Sequence, residues 1–220
     1  MTRTRNRPLP AGRMSPHAAL WFGCALALIS VPLLTFMVNP VTGLLAAIAL
    51  VSYVWIYTPM KQISPKALVV GAIPGAMPPL LGWTALTGRI EWPGFVLFAI
   101  MFVWQMPHFI AITIYRREEY AQAGIKTVAN VRSPKQVKIQ MGLWTAVLIP
   151  VSLMLVPLNA AGVVYLAAAS LLGLIFLRRS LAGLRMDEQD SARWARGVFG
   201  YSLLYIVLLF AALAVDAAVL

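Results

Sequence analysis

Acidic residues are scarce in this chain, 7 Asp and Glu against 18 Lys and Arg in 220 residues. Charged residues of both signs make up only 11%, while 60% of the chain is hydrophobic. That shortage excludes an ordinary soluble domain. It also removes the obvious meaning of a +11 net charge, because in so apolar a chain a basic excess marks membrane topology and not a nucleic-acid partner. Cysteine is nearly absent: Cys24 stands alone inside an apolar run, so no intrachain disulfide can form. No CxxC, HExxH, GxSxG or glycine-rich phosphate loop occurs. The basic N-terminal stretch MTRTRNRPLPAGRMSP has no apolar core and reads neither as a signal peptide nor as a presequence.

What the chain does have is long apolar runs. Seven are countable as membrane spans, near 17–37, 41–58, 66–86, 93–115, 138–156, 160–178 and 198–218. With seven spans, 17 of the 18 cations fall on one side of the membrane and only Arg89 on the other. The positive-inside rule then puts the N-terminus in the cytoplasm and the C-terminus outside. The expected fold is an all-α, polytopic membrane bundle, with residues 1–220 forming one domain embedded in the lipid bilayer. Three spans are expected to start with Ser-Pro: Ser15-Pro16, Ser64-Pro65 and Ser133-Pro134. Serine caps a free backbone N–H, and proline at the first helical position gives up no hydrogen bond. The third span, with Pro74, Pro78, Pro79 and a face of Gly71, Gly75 and Gly82, reads either as close helix packing or as a broken helix lining a cavity.

Residues 101–138 carry most of the polar signal. At 100° per residue, Gln105, His108, Ile112, Arg116 and Glu119 fall within about 80° of arc on one helical face. Pro107 is expected to kink that helix. Polar groups at membrane depth are costly, which favours a functional, inward-facing reading. His108 serves equally as a packing residue bonded to a neighbour, a haem-iron ligand or a proton donor. Two basic elements stand nearby in topology: TRTRNRPL (Arg3, Arg5, Asn6, Arg7) and YRREEY (Arg116, Arg117, Glu118, Glu119). Guanidinium groups take phosphate oxygens in pairs, and adjacent carboxylates can hold Mg²⁺. The same residues are also ordinary topology signal at helix ends.

The strings TRTRNRPLPAGRMSP, YTPMK, GAIPGAMPPLLGW, WQMPHFIAITIYRREEYAQAGI and WARGVFGYSLLY resemble the haem O synthase (protohaem IX farnesyltransferase) branch of the UbiA-type intramembrane prenyltransferases. The resemblance covers the chain from Thr2 through the last span. It implies transfer of the farnesyl group of farnesyl diphosphate to a vinyl group of haem b, with water adding to the new side chain to give haem O. It further implies Mg²⁺ as cofactor and haem A synthase or a terminal oxidase assembly as partner, in a bacterial inner membrane. By resemblance, Arg116, Arg117 and Glu119 are the catalytic set, with Glu119 also a metal ligand. Arg5, Asn6, Arg7, Tyr57 and Lys61 would bind diphosphate, and His108 and Gln105 would contact haem. The chain departs from the family in three places. Members normally have nine spans and an N…D…D motif just ahead of TRTRNRPL, supplying the principal Mg²⁺ ligands. The loop after AGI reads KTVANV where an apolar, proline-containing segment is usual, and ISPKALVVGAIPG lacks an Asn-Thr pair. These departures leave a second reading open, a non-catalytic haem- or prenyl-lipid-binding protein. A transporter built on broken helices is a third.

Overall fold

The computed structural model describes residues 4–219, so Arg3 lies outside the described residues. Among the described residues all regular secondary structure is helical and no strand occurs. The helices are α1 (Pro16–Leu33), α2 (Pro40–Val51), α3 (Thr58–Ile63), α4 (Ala67–Thr87), α5 (Trp92–Tyr115), α6 (Arg117–Gln122), α7 (Val128–Val131), α8 (Pro134–Leu153), α9 (Val163–Ala182) and α10 (Glu188–Val219). Six segments of the described residues are long and apolar enough to cross a membrane, and the protein is an integral membrane protein. The seventh expected span, α8, is 20 residues long, and Lys135, Gln136, Lys138 and Gln140 in its first two turns make it more polar.

Local sequence explains most helix boundaries. Ser15 accepts a hydrogen bond from the Ala18 amide, and Ser133 with Gln136 forms a complete capping box, as their Ser-Pro pairs predict. Ser64-Pro65 behaves differently. Ser64 closes α3, its hydroxyl accepts from the Lys66 amide, and α4 starts only at Ala67. Asn39 does double duty: its Oδ1 caps α2 at Thr42, while its Nδ2 donates to the Thr84 carbonyl and ties the turn to α4.

The third span is not broken. α4 runs as one helix through Pro74, Pro78 and Pro79, and α5 likewise runs through Pro107. The irregular backbone lies instead at the end of α1, π-helical over Leu34–Val38, and in α2, which passes into a π-helical stretch over Ser52–Tyr57. Pro59 cannot donate to a carbonyl and its ring crowds the turn before it, so the wider pattern, with Thr58 bonded back to Tyr53, relieves the clash.

α5 is the centre of the bundle, with α4 on one side and α8 and α10 on the other. Twelve of its 24 residues are buried, whereas α1 buries none. α9 closes the far side against α8 and α10. Its start is held by Asp216, a buried carboxylate in the last turns of α10, whose Oδ2 accepts from the amides of Gly162 (2.7 Å) and Tyr165 (2.9 Å). Asp216→Ala leaves two backbone donors unsatisfied and should cost about 1–3 kcal/mol. Thermal unfolding in detergent should show Tm falling by several degrees, with Asp216→Asn in between. An unchanged Tm in Asp216→Ala would remove this carboxylate from the fold's support.

Candidate functional site

Two cavities flank the α5–α6 turn. The larger, of 860 Å³, lies between the π-helical end of α2, α4 and α5. Its inner walls are apolar, formed by residues such as Ala49, Leu50, Leu68, Phe109 and Ile112. Polar groups collect at the mouth: Lys61, Ser64, Tyr120, Lys126 and Thr127. Such a space suits an amphiphile with an anionic head and a hydrocarbon tail.

Two glycines give this cavity its shape. At Gly71 a Cβ would stand 2.5 Å from the Tyr57 ring, so the bare backbone is what lets that ring pack against α4. The ring in turn carries Lys61, whose Nζ sits 5.7 Å from its centre. At Gly75 a Cβ would meet Gln105 Oε1 at 2.2 Å. Gln105 Nε2 donates to the Ala72 carbonyl (3.3 Å) and the Met101 carbonyl (3.0 Å), which fixes the amide on the cavity wall. Gly82, on the same expected face, has no atom within 4 Å of such a Cβ and serves neither purpose.

The single polar face expected along α5 is split in two. Gln105, Phe109, Ile112 and Thr113 face the large cavity, but His108 does not line it. It turns toward α10, stacked between Trp104 and Phe199 (both ring centres 4.7 Å away), with Nδ1 2.8 Å from Ser202 Oγ. The two side chains are about 60° apart on the helix and each is drawn to a different neighbour. The Ser202 hydroxyl already donates to the Phe199 carbonyl (2.6 Å), so His108 Nδ1 must be the donor in its bond to Ser202. That tautomer leaves the Nε2 lone pair as an acceptor. Helical periodicity then ends at Tyr115, because Arg116 leaves the helical region (φ −114°, ψ 21°). Arg116 and Glu119 therefore do not continue the Gln105 face.

Both belong to the second cavity, of 470 Å³, together with Arg117, Glu118, Lys138, Glu188, Ser191 and Arg196. Arg116 bonds Glu119 at 2.7 Å and Arg117 reaches Glu188 at 2.8 Å. The sequence-expected diphosphate set is thus dispersed. Tyr57 and Lys61 line the large cavity, and Arg116, Arg117 and Glu119 line the small one. Arg5, Asn6 and Arg7 are exposed and line neither, with the Asn6 carbonyl accepting from Arg13. Residues 126 and 127 escaped the sequence reading because a loop lysine looks alike wherever it points. Thr127 Oγ1 is buried in the cavity wall with no hydrogen-bond partner. No group of three or more metal-ligating side chains exists among the described residues, and the Glu119 carboxylate is already bonded to Arg116. These residues do not by themselves make a Mg²⁺ site.

An intramembrane helical bundle with an apolar, cation-mouthed cavity is the architecture of a membrane prenyltransferase. Residues 1–204 match the UbiA prenyltransferase family, and the chain belongs to that family. It is 52% identical over 217 residues to a protoheme IX farnesyltransferase of Sorangium cellulosum, covering 99% of this chain and 77% of that one. It is 50% identical to the enzyme of that name from Myxococcus xanthus, covering 98% of this chain and 73% of the relative. A solved structure of a digeranylgeranylglyceryl phosphate synthase in membranes superposes over the whole chain and 77% of its own length. Its TM-score is 0.79 at 18% identity, a likeness of fold.

Proposed function

We propose that the protein transfers a farnesyl group from farnesyl diphosphate to the vinyl group of haem b, giving haem O. The single observation that carries this reading is the large cavity's chemistry, apolar inside and lysine-bearing at its mouth, in a chain about half identical to protoheme IX farnesyltransferases. The C–O bond to diphosphate breaks, the vinyl carbon attacks the allylic carbon, and water adds to the resulting cation with loss of a proton. Lys61, held on the Tyr57 ring, and Lys126 with the unsatisfied Thr127 hydroxyl bind the diphosphate and stabilise the charge that gathers on it as it leaves. Leu50, Leu68, Phe109 and Ile112 hold the tail and keep water away from the allylic cation.

Arg116, Arg117 and Glu119 line the smaller cavity and not the larger one, so the diphosphate contacts that the resemblance implies for them are not part of the proposed site. No step is assigned to Mg²⁺, which the family resemblance implies but these residues do not hold. His108, with its Nε2 lone pair outward from the Ser202 bond, is the proposed haem contact, whereas Gln105, expected beside it, belongs to the prenyl-cavity wall. The orientation has the N-terminus in the cytoplasm, the C-terminus outside, and the chain in a bacterial inner membrane, in keeping with the one-sided cations.

The test is direct. Membranes carrying the protein, supplied with haem b and farnesyl diphosphate, should yield a haem heavier by one farnesyl group plus one hydroxyl group by mass spectrometry. Binding of haem with no product would favour the non-catalytic reading. A companion measurement addresses His108: in His108→Ala the Soret shift seen on haem addition should disappear. A spectrum identical to the parent would return His108 to packing between α5 and α10.

A further inference from the structure

The small cavity contains a charge imbalance that the proposed transfer reaction does not use. Four cations line it, Arg116, Arg117, Lys138 and Arg196, with three carboxylates, Glu118, Glu119 and Glu188. Two pairs are matched, Arg116 with Glu119 and Arg117 with Glu188. Lys138 and Arg196 make no ion pair with any described residue. Lys138 is the telling one, only 7% exposed, with a single hydrogen bond from Nζ to the Met186 carbonyl (2.7 Å) and the Trp194 ring 6.0 Å away. Glu118 is exposed and makes no ion pair with either. A buried ammonium held only by a carbonyl and a ring is costly unless an anion completes it.

Position narrows the ligand. The cavity lies where α5 ends and α8 and α10 begin, and its four cations are of the kind that sit at the polar ends of spanning helices. Arg116 and Arg196 lie 5.2 and 5.7 Å from the Tyr115 ring, which packs edge-on against Phe199, the residue that stacks on His108. The anion site therefore stands at the polar end of an aromatic seam, and on the opposite side of α5 from the prenyl cavity.

We infer that the Lys138–Arg196 cavity is a second binding site, separate from the prenyl cavity, for the anionic headgroup of an amphiphile at the membrane surface. Carboxylate and phosphate oxygens both satisfy it, so the sources are the two carboxylates of haem or an acidic phospholipid. The haem source rests on the proposed function, whereas the lipid source does not.

The test uses the full chain in nanodiscs and reads binding alone, so failure of the transfer reaction leaves its result intact. Haem b and its dimethyl ester are titrated by Soret absorbance, and phosphatidylglycerol is compared with phosphatidylcholine by native mass spectrometry. The expected result is a preference for the charged form of one pair, reduced about tenfold in Lys138→Gln and in Arg196→Gln. The exposed Arg196 provides a readout if Lys138→Gln does not fold. Preference for haem over its ester identifies the haem carboxylates, and preference for phosphatidylglycerol alone identifies lipid. Equal binding within both pairs overturns the site. Displacement of either ligand by inorganic diphosphate overturns its separateness, since the cavity would then belong to the transferase site.

Discussion

Gly75→Val should lower farnesyl transfer by about a hundredfold or more. A Cβ at this position would stand 2.2 Å from Gln105 Oε1, and that amide is not free to yield, being pinned by the Ala72 and Met101 carbonyls. Accommodating valine breaks two hydrogen bonds worth about 1 kcal/mol each and overpacks the wall by about 1–3 kcal/mol. Each 1.4 kcal/mol of that expressed in the barrier is roughly tenfold in rate. Gln105 also swings into the space meant for the prenyl chain, so KM for farnesyl diphosphate should rise along with the fall in kcat. Gly82→Ala is the control. It has open space around it, and alanine favours helix, so both activity and Tm should hold. Transfer by Gly75→Val within threefold of the parent would mean that the cavity wall is not where the tail lies.

Lys61→Ala should cost about 10- to 100-fold in kcat/KM for farnesyl diphosphate, the range expected for removing one charge-assisted bond of about 1.5–3 kcal/mol. The loss should be specific to this substrate, leaving haem titration unchanged, because Lys61 stands on the α2–α4 side of α5 and His108 on the α10 side. Tyr57→Leu should reproduce part of the effect without touching the charge, since the ring is what holds the ammonium over the cavity mouth. An unaltered kcat/KM in Lys61→Ala would shift the diphosphate to the arginines of the α5–α6 turn, which diphosphate-release kinetics in Arg116→Ala would then detect.

Much of the architecture was written in local chemistry. Long apolar runs with one-sided cations specify spanning helices, because an unpaired backbone group or an unneutralised charge is too costly in lipid. Ser15 and Ser133 mark helix starts through bonds that span only three residues. The intramembrane Gln105 and His108 announce themselves as unusual for the same reason of cost. Family membership was also legible, since it depends on residue identity and not on conformation.

What tertiary structure alone decided is where each of those side chains points. A helical wheel places Gln105 and His108 on one face, yet 60° is enough for α4 to capture the first and α10 the second. The wheel also assumes the helix continues, whereas it stops at Tyr115 and sends Arg116 and Glu119 to a different cavity. The three prolines of α4 leave it unbroken because packing outweighs a few missing hydrogen bonds, while irregular backbone forms elsewhere, as in α2, where Pro59 crowds a lightly packed turn. Lys126, Thr127 and Lys138 carry no local mark at all. The sequence by itself determined which groups the membrane must bury and which it must leave at its surface, because that cost is a property of each residue. Which buried group meets which partner depended on contacts between residues far apart in the chain, and only the folded bundle brings those together.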